Sequence, residues 1–137
     1  MKRITNCPQT VIQEFNNNTC LFMCYIYCCG LLPDTLEGWL DYYSRALKAK
    51  CIGEDGFVLD AEKLIFCLTG RKVSVTKKAI QSIEEITGPY PVMYSMNGGK
   101  SGHFVVVENG KIVFNPLEVS QNVNKGEPVS VREIRLA

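Results

Sequence analysis

The sequence predicts an α+β fold, in which an N-terminal helical half packs on a C-terminal antiparallel β-sheet. Segments with helical spacing and capping residues fill the first half, β-branched and aromatic segments fill the second, and the two kinds do not alternate as in α/β folds. A chain of 137 residues is expected to form a single compact domain. We expect the helical half over about 10–88 and the sheet half over about 89–136.

The helical half is predicted to consist of successive short helices. The apolar run 20–32 follows several N-cap candidates in NNNT and ends at a glycine and a proline. Segment 34–50 begins with Asp34 as a cap and then repeats large apolar residues at helical spacing. Segments 60–70 and 76–88 each begin with a capping residue and end on glycine, which favours a helix in both.

The sheet half is rich in β-branched and aromatic residues, which predict strands over 90–96, 103–108, 111–115 and 129–136. The stretches NGGKSG and NG separate the first three of these strands as loop and turn signals. Because NGGKSG is followed by a strand and not by a helix, it does not match a phosphate-binding loop. The pattern therefore predicts an antiparallel sheet without a nucleotide site.

Composition and charge exclude several classes of protein. The 15 basic and 14 acidic residues are interspersed, so neither nucleic acid nor an anionic membrane is an expected partner. The longest apolar run, 20–32, is well short of the roughly 20 residues that span a membrane. No apolar run follows the first basic residues, so no signal peptide is expected.

The cysteine pattern indicates a reducing environment. Four of the seven cysteines lie within ten residues of the first predicted helix, where the geometry for mutual disulfides is mostly impossible. We therefore expect reduced thiols in a cytoplasmic protein. With one histidine and no Cys-x₂-Cys pair, a metal site is disfavoured and no cofactor is expected.

Cys20 is a candidate nucleophile because it lies at the predicted start of the first helix, directly after the cluster Asn16–Thr19. The helix dipole and the backbone N–H groups there favour a thiolate over a thiol with the ordinary pKa of ~8.5, and the same N–H groups could receive an oxyanion. The alternative, that cysteines are small buried apolar residues, stays open for Cys20. That alternative is the preferred one for Cys24, Cys28, Cys29, Cys51 and Cys67.

His103, the only histidine, begins one predicted strand, and Asn115 ends its partner strand. Asn115 could therefore hydrogen-bond the imidazole ring and fix its tautomer. The Asn-Gly dipeptide favours a two-residue turn, in which Glu108 pairs with Lys111 and Asn115 faces the other side of the sheet. A three-residue loop, or a bulge elsewhere in the pair, would bring both side chains to one face.

In this order and context the residues resemble the papain-like cysteine peptidases, most closely the compact C39-like peptidases and related small uncharacterised bacterial and phage proteins. The resemblance covers about residues 9–120 and is most specific in GHFVVVENGKIVFNP. It implies a papain-like fold with Cys20 as nucleophile, His103 as base and Asn115 as the residue that orients the ring. It also implies hydrolysis of an amide bond in a peptide or protein substrate, without a cofactor.

The resemblance further implies which residues surround the cleft. The family carries Gly directly after the nucleophile and an oxyanion-supporting Gln about six residues before it, where this chain has Leu21 and Glu14. Gln13 or Asn17 would then support the oxyanion. The loop before His103 would rim the cleft and contact the substrate through Gly99, Lys100, Ser101 and Gly102. The alternative is that this loop is an ordinary flexible connector.

A different class of function is a catalytically degenerate papain-like domain that binds a protein partner, as a small phage-encoded protein would. Trp39, Tyr42 and Tyr43 would then be partner anchors, although their helical spacing equally fits core packing. A cell-wall amidase of the related Cys-His type is disfavoured by the cysteine content and by the expected lack of an export signal. The oligomeric state does not follow from the sequence.

Overall fold

The computed structural model describes residues 18–96, 101–116 and 126–137. Within these ranges the protein is a mixed α+β structure, as the sequence predicts, with its helices before its sheet. The helices are α1 (Cys20–Cys28), α2 (Leu36–Lys48) and α3 (Ala61–Thr69).

The sheet has five strands, and every neighbouring pair in it is antiparallel. Their spatial order is β1-β5-β2-β3-β4, so the C-terminal strand lies inside the sheet between the first two strands of the chain. The strands are β1 (Val73–Ala79), β2 (Tyr90–Met96), β3 (Ser101–Glu108), β4 (Lys111–Phe114) and β5 (Glu127–Leu136).

The predicted helix over 76–88 is wrong. Its first residues belong to β1, which pairs with β5 from Val73 opposite Leu136 to Ala79 opposite Ser130, and only a short 3-10 turn, Ile83–Glu85, follows. The alternation in VSVTKKA is a strand pattern that brings Val73 and its i+2 neighbour onto one face. The sheet half therefore begins at residue 73 and not at residue 89.

Helix α3 is capped at its two ends by the residues that the sequence analysis predicts, Asp60 and Gly70. The Asp60 side chain accepts a hydrogen bond from the Lys63 N–H at 2.9 Å, and Gly70 closes the helix in the left-handed conformation with φ 75°. Helix α2 is capped differently from expectation, because Thr35 and not Asp34 accepts the hydrogen bond from the Gly38 N–H, at 3.1 Å.

Replacing Asp60 with alanine is expected to lower the free energy of unfolding by about 1 kcal/mol, because the first turn of α3 loses its side-chain acceptor. Urea denaturation of the two proteins measures this difference. Asp34→Ala is the matched control, since Asp34 precedes a helix without capping it, and a loss there as large as at Asp60 would contradict the capping assignment.

The two faces of the sheet carry separate apolar clusters. On the face that we call the helix side, α1 and its neighbours pack against Val75, Phe114 and Ile134. The opposite face, which we call the far side, is covered by the segment around Ile83 and Ile86. The buried members of the far-side cluster are Ile86, Val92, Tyr94, Val105, Val107 and Val131.

Helix α1 is the centre of the helix-side core. Five consecutive residues, from Phe22 to Ile26, are buried, so this helix is enclosed on all sides instead of lying at the surface with one apolar stripe. It packs against β3 and β2, and Trp39 of α2 is fully buried in the same cluster.

Candidate active site

The β3–β4 hairpin contains both the two-residue turn and a bulge, which the sequence left open as alternatives. Asn109 and Gly110 both have positive φ, 52° and 75°, and Glu108 pairs with Lys111 across them, so this is a two-residue turn. The register then shifts, because Val107 pairs with Ile112 but Val106 pairs with Phe114. Val113 is the extra residue of this bulge.

The bulge returns Asn115 to the face that carries His103. Continuing the shifted register from Phe114 places Asn115 opposite Val105, and Val105 shares its face with His103 two residues earlier. The two side chains are therefore diagonal neighbours across the strand pair, which is within reach of long side chains. Without the bulge, Asn115 would point to the helix side.

His103 and Asn115 form a direct hydrogen bond. The His103 Nε2 atom lies 2.7 Å from the Asn115 Oδ1 atom. Because an amide oxygen only accepts, Nε2 carries the proton, and in the neutral ring the lone pair is on Nδ1. The ring is 3% exposed. This arrangement fixes one tautomer and leaves Nδ1 as the basic nitrogen.

Burial lowers the pKa of His103 from its ordinary value of 6.5, and the hydrogen bond to Asn115 partly opposes this effect. The imidazole is therefore neutral at neutral pH in the absence of another charge beside it. Because the pKa is lower in the folded chain than in the unfolded chain, the contribution of the neutral ring to stability is complete above pH 6.5. That contribution is lost as the pH falls through the folded pKa.

We expect the sole imidazole, followed by NMR in a Cys20→Ser variant, to titrate below 6.5. Adding Asn115→Ala should lower this pKa further, because the ring then loses the hydrogen bond that favours its protonated form. The serine variant serves as the background because a thiolate at Cys20 would raise the pKa. An unchanged or higher pKa after the loss of Asn115 would contradict the role of this hydrogen bond.

An aromatic stack holds the chain immediately before Asn115. The ring of Phe114 lies 4.9 Å from that of Tyr27, with an interplanar angle of 17°. The ring of Trp39 is also nearly parallel to that of Phe114, with ring centroids 6.4 Å apart and an interplanar angle of 16°. Packing of this kind contributes roughly 0.5–1.5 kcal/mol beyond the area buried, and here it fixes the end of β4 from which Asn115 reaches His103.

Cys20 is the first residue of α1 and is partly exposed. Thr19 is the N-cap residue, but its side chain makes no capping hydrogen bond; its hydroxyl lies 3.9 Å from the Met23 sulfur instead. The thiol is therefore at the positive end of the helix dipole, where a thiolate is favoured.

Helix α1, which begins at Cys20, packs against β3, the strand that carries His103. Burial is the main cause that raises the pKa of Tyr27 and of Cys28 at the end of α1, and the charge of Glu108, the last residue of β3, adds to both shifts. From Cys28 back to Cys20 the helix rises ~12 Å, which corresponds to about four residues of a strand. Counted back from Glu108, Cys20 is therefore about level with Phe104, in the middle of β3.

His103 and helix α1 nevertheless lie on opposite faces of the sheet. His103 pairs with Tyr94, a member of the far-side cluster, whereas α1 lies on the helix side with Phe114. The structure thus joins His103 to Asn115 by a hydrogen bond and places Cys20 at the start of a helix on the other face of the sheet.

The expectation that the other cysteines are buried holds fully for Cys24 and Cys51, whereas Cys28, Cys29 and Cys67 are partly buried. Burial raises the pKa of Cys24 and of Cys28 well above the ordinary value, and it raises the pKa of Cys29 to about 11. Burial also raises the pKa of Cys51. These four groups are therefore neutral thiols at neutral pH and poor nucleophiles.

The remaining predicted site residues are only partly within the described ranges. Ser101 begins β3 opposite Met96, and Gly102 follows it opposite Ser95. Gly102 is exposed on the helix side, where a Cβ would come within 3.2 Å of the Met93 sulfur. The residues of the predicted site that lie outside the described ranges are Gln13, Asn17, Gly99 and Lys100.

No protein-family model, no curated protein and no solved structure matches this chain. In the part of the chain that the structure describes, no helix is both long enough and apolar enough to cross a membrane. What the site does has to follow from the chemistry of its own residues.

Proposed function

We propose that this protein is a papain-like, thiol-dependent amide hydrolase that acts on a peptide or protein substrate. Cys20 is the nucleophile, His103 the base and Asn115 the residue that orients the ring. The observation that carries this proposal is the 2.7 Å hydrogen bond from the only histidine to Asn115. A buried imidazole held in one tautomer supplies a base, and a partly exposed cysteine at a helix start supplies a nucleophile, which are the two groups that thiol-dependent catalysis uses.

The proposed reaction begins with the neutral ring of His103. Its Nδ1 removes the proton from the Cys20 thiol, and the sulfur forms a bond to the substrate carbonyl carbon, whose oxygen becomes an oxyanion beside the first turn of α1. The protonated ring then gives its proton to the leaving amine as the carbon–nitrogen bond breaks. Water, deprotonated by the same ring, attacks the thioester, and release of the acid restores the thiol.

A catalytically degenerate domain that binds a protein partner is the second candidate. The observation that favours it is that His103 faces the far side, whereas the helix that begins at Cys20 lies on the helix side. Trp39 is not available as a partner anchor, because it is fully buried. Tyr42 and Tyr43 are partly buried against the helix-side core, which is the packing alternative that the sequence allowed.

We place the protein in the cytoplasm, where thiols stay reduced. All six cysteines within the described ranges are free thiols. Their concentration in and around the helix-side core favours a reducing compartment, because an oxidant there would threaten the packing of α1.

Digestion of a diverse peptide library, with products identified by mass spectrometry, tests the hydrolase. The wild-type protein is expected to cleave a subset of the peptides, and Cys20→Ser is expected to cleave none of them. Cys29→Ser is the matched control, because Cys29 is a partly buried thiol of high pKa at the other end of the same helix. Cleavage that survives in Cys20→Ser would exclude the proposed nucleophile, and its absence in the wild type would favour the binding domain.

A further inference from the structure

A cavity of about 390 Å³ opens on the helix side, between the starts of α1 and α3 and the strands β1 and β5. Its wall includes Leu21, the residue after Cys20. Adjacent Cα atoms are ~3.8 Å apart, so the cavity opens near the start of α1, which carries the proposed nucleophile. The side chains of its wall that bear on ligand chemistry are Tyr25, Asp60, Glu62, Lys77 and Arg132.

Arg132 is the distinctive member of this wall. Its guanidinium carbon lies 5.1 Å from the centre of the Phe104 ring, and one of its nitrogens donates to the Ser130 hydroxyl at 3.1 Å. Burial lowers the pKa of Arg132, yet among the described residues it forms no ion pair. A half-buried guanidinium that an aromatic ring fixes, and that pairs with no carboxylate of the described ranges, is suited to bind an anion.

Lys77 adds a second cation at the same position of the sheet. It is the direct partner of Arg132 in the β1–β5 register, so the two side chains share the helix side and both line the cavity. Lys77 is exposed and mobile by nature, whereas Arg132 is held in place. The sheet wall of the cavity is therefore cationic.

The two acidic residues of the opposite wall are already engaged with backbone groups. The Asp60 carboxylate accepts the Lys63 N–H at 2.9 Å, and the Glu62 carboxylate accepts the Val75 N–H, also at 2.9 Å. Their charges offset those of Lys77 and Arg132, so the wall as a whole is neutral. The attraction for an anion is therefore local to Arg132 and Lys77, and because the two carboxylates repel a dianion more strongly than a monoanion, a carboxylate ligand is favoured over a phosphate dianion.

We propose that this cavity binds a carboxylate of the peptide substrate through Arg132, with Lys77 assisting, next to the bond that Cys20 attacks. The carboxylate belongs to an acidic side chain or to the free C-terminus of the peptide, which present the same chemistry to a guanidinium. The role as a substrate subsite rests on the proposed hydrolase, but binding of the carboxylate does not require catalysis.

Equilibrium binding to a Cys20→Ser variant separates recognition from turnover. The probes are acetyl-Ala-Glu-Ala-Ala-amide, acetyl-Ala-Gln-Ala-Ala with a free carboxylate, and acetyl-Ala-Gln-Ala-Ala-amide, each titrated into the labelled protein and followed by NMR. At least one charged probe is expected to bind roughly tenfold or more tightly than the neutral one, since charge-assisted bidentate pairs are the strong ones. Which charged probe binds identifies the source of the carboxylate.

Arg132→Gln in the same background is expected to remove the preference for charge. Lys78→Gln is the matched control, because Lys78 is next to Lys77 in β1 but pairs with Glu133 at 2.7 Å on the far side. Equal affinity for all three probes, or a preference that survives Arg132→Gln, would overturn the proposal. Charge-selective binding by a protein that cleaves nothing would refute only the hydrolase, and cleavage without charge preference would refute only the carboxylate site.

Discussion

The His103→Ala protein is expected to hydrolyse peptides at least ~10³-fold more slowly than the wild type, because removal of one member of a catalytic triad has effects of this size or larger. The chain has no other histidine, so no second imidazole can replace the base. The measurement is the initial rate on a peptide that the wild type cleaves, at equal concentrations of folded protein.

Because His103 is buried, its loss could also disturb the fold, and Asn115→Ala supplies the control. This variant keeps the imidazole but loses the hydrogen bond of 2.7 Å that orients it. Its rate is expected to lie between those of the wild type and His103→Ala, and thermal unfolding checks that all three are folded. Full activity in either variant would rule out the proposed base and its orienting residue.

Phe22→Ala is expected to lower the free energy of unfolding by about 3–5 kcal/mol, the range for deleting a buried aromatic ring from a core. Phe22 is fully buried in α1 and meets the ring of Tyr43 edge-on, with centroids 5.8 Å apart. Since Phe22 is two residues after Cys20, the same change should also disturb the start of the helix. Urea denaturation measures the loss.

The matched control for the core is Phe66→Ala, in which the same side chain is removed from a position that is 48% exposed. The loss there is expected to be about 1 kcal/mol, because less apolar area leaves the protein interior. Equal losses at positions 22 and 66 would contradict the assignment of α1 as the centre of the core.

The elements that could be predicted from the sequence are those whose local signals agree with their tertiary contacts. Capping by Asp60 and termination at Gly70 place α3 correctly, and the strand predicted over 90–96 matches β2. The segment 76–88 satisfies helix rules as well, but pairing with the C-terminal strand stabilises β1 there instead. That long-range partner is invisible to a local pattern.

For the candidate site, too, some features could be predicted from the sequence and others could not. The His103–Asn115 pair could be predicted as one of two alternatives, because both residues belong to one hairpin and are close in the sequence. The bulge at Val113 brings the two side chains to the same face. The face on which α1 lies is a tertiary property, so the sequence could not place Cys20 relative to the ring. The sequence did not predict the cavity beside Arg132, because Lys77 was predicted to lie in a helix. In the structure Lys77 lies in β1 and pairs with Arg132 of β5.

The rate of iodoacetamide alkylation at each cysteine, measured against pH by peptide mass spectrometry in the wild type and in His103→Ala, tests most directly whether Cys20 and His103 act together. We predict that Cys20 reacts fast well below the ordinary thiol pKa of ~8.5 and that this reactivity is lost in the variant. Cys29, with a pKa of about 11, should react slowly in both. A Cys20 that titrates near its ordinary pKa in both proteins would contradict the proposed nucleophile–base pair and would leave a binding domain.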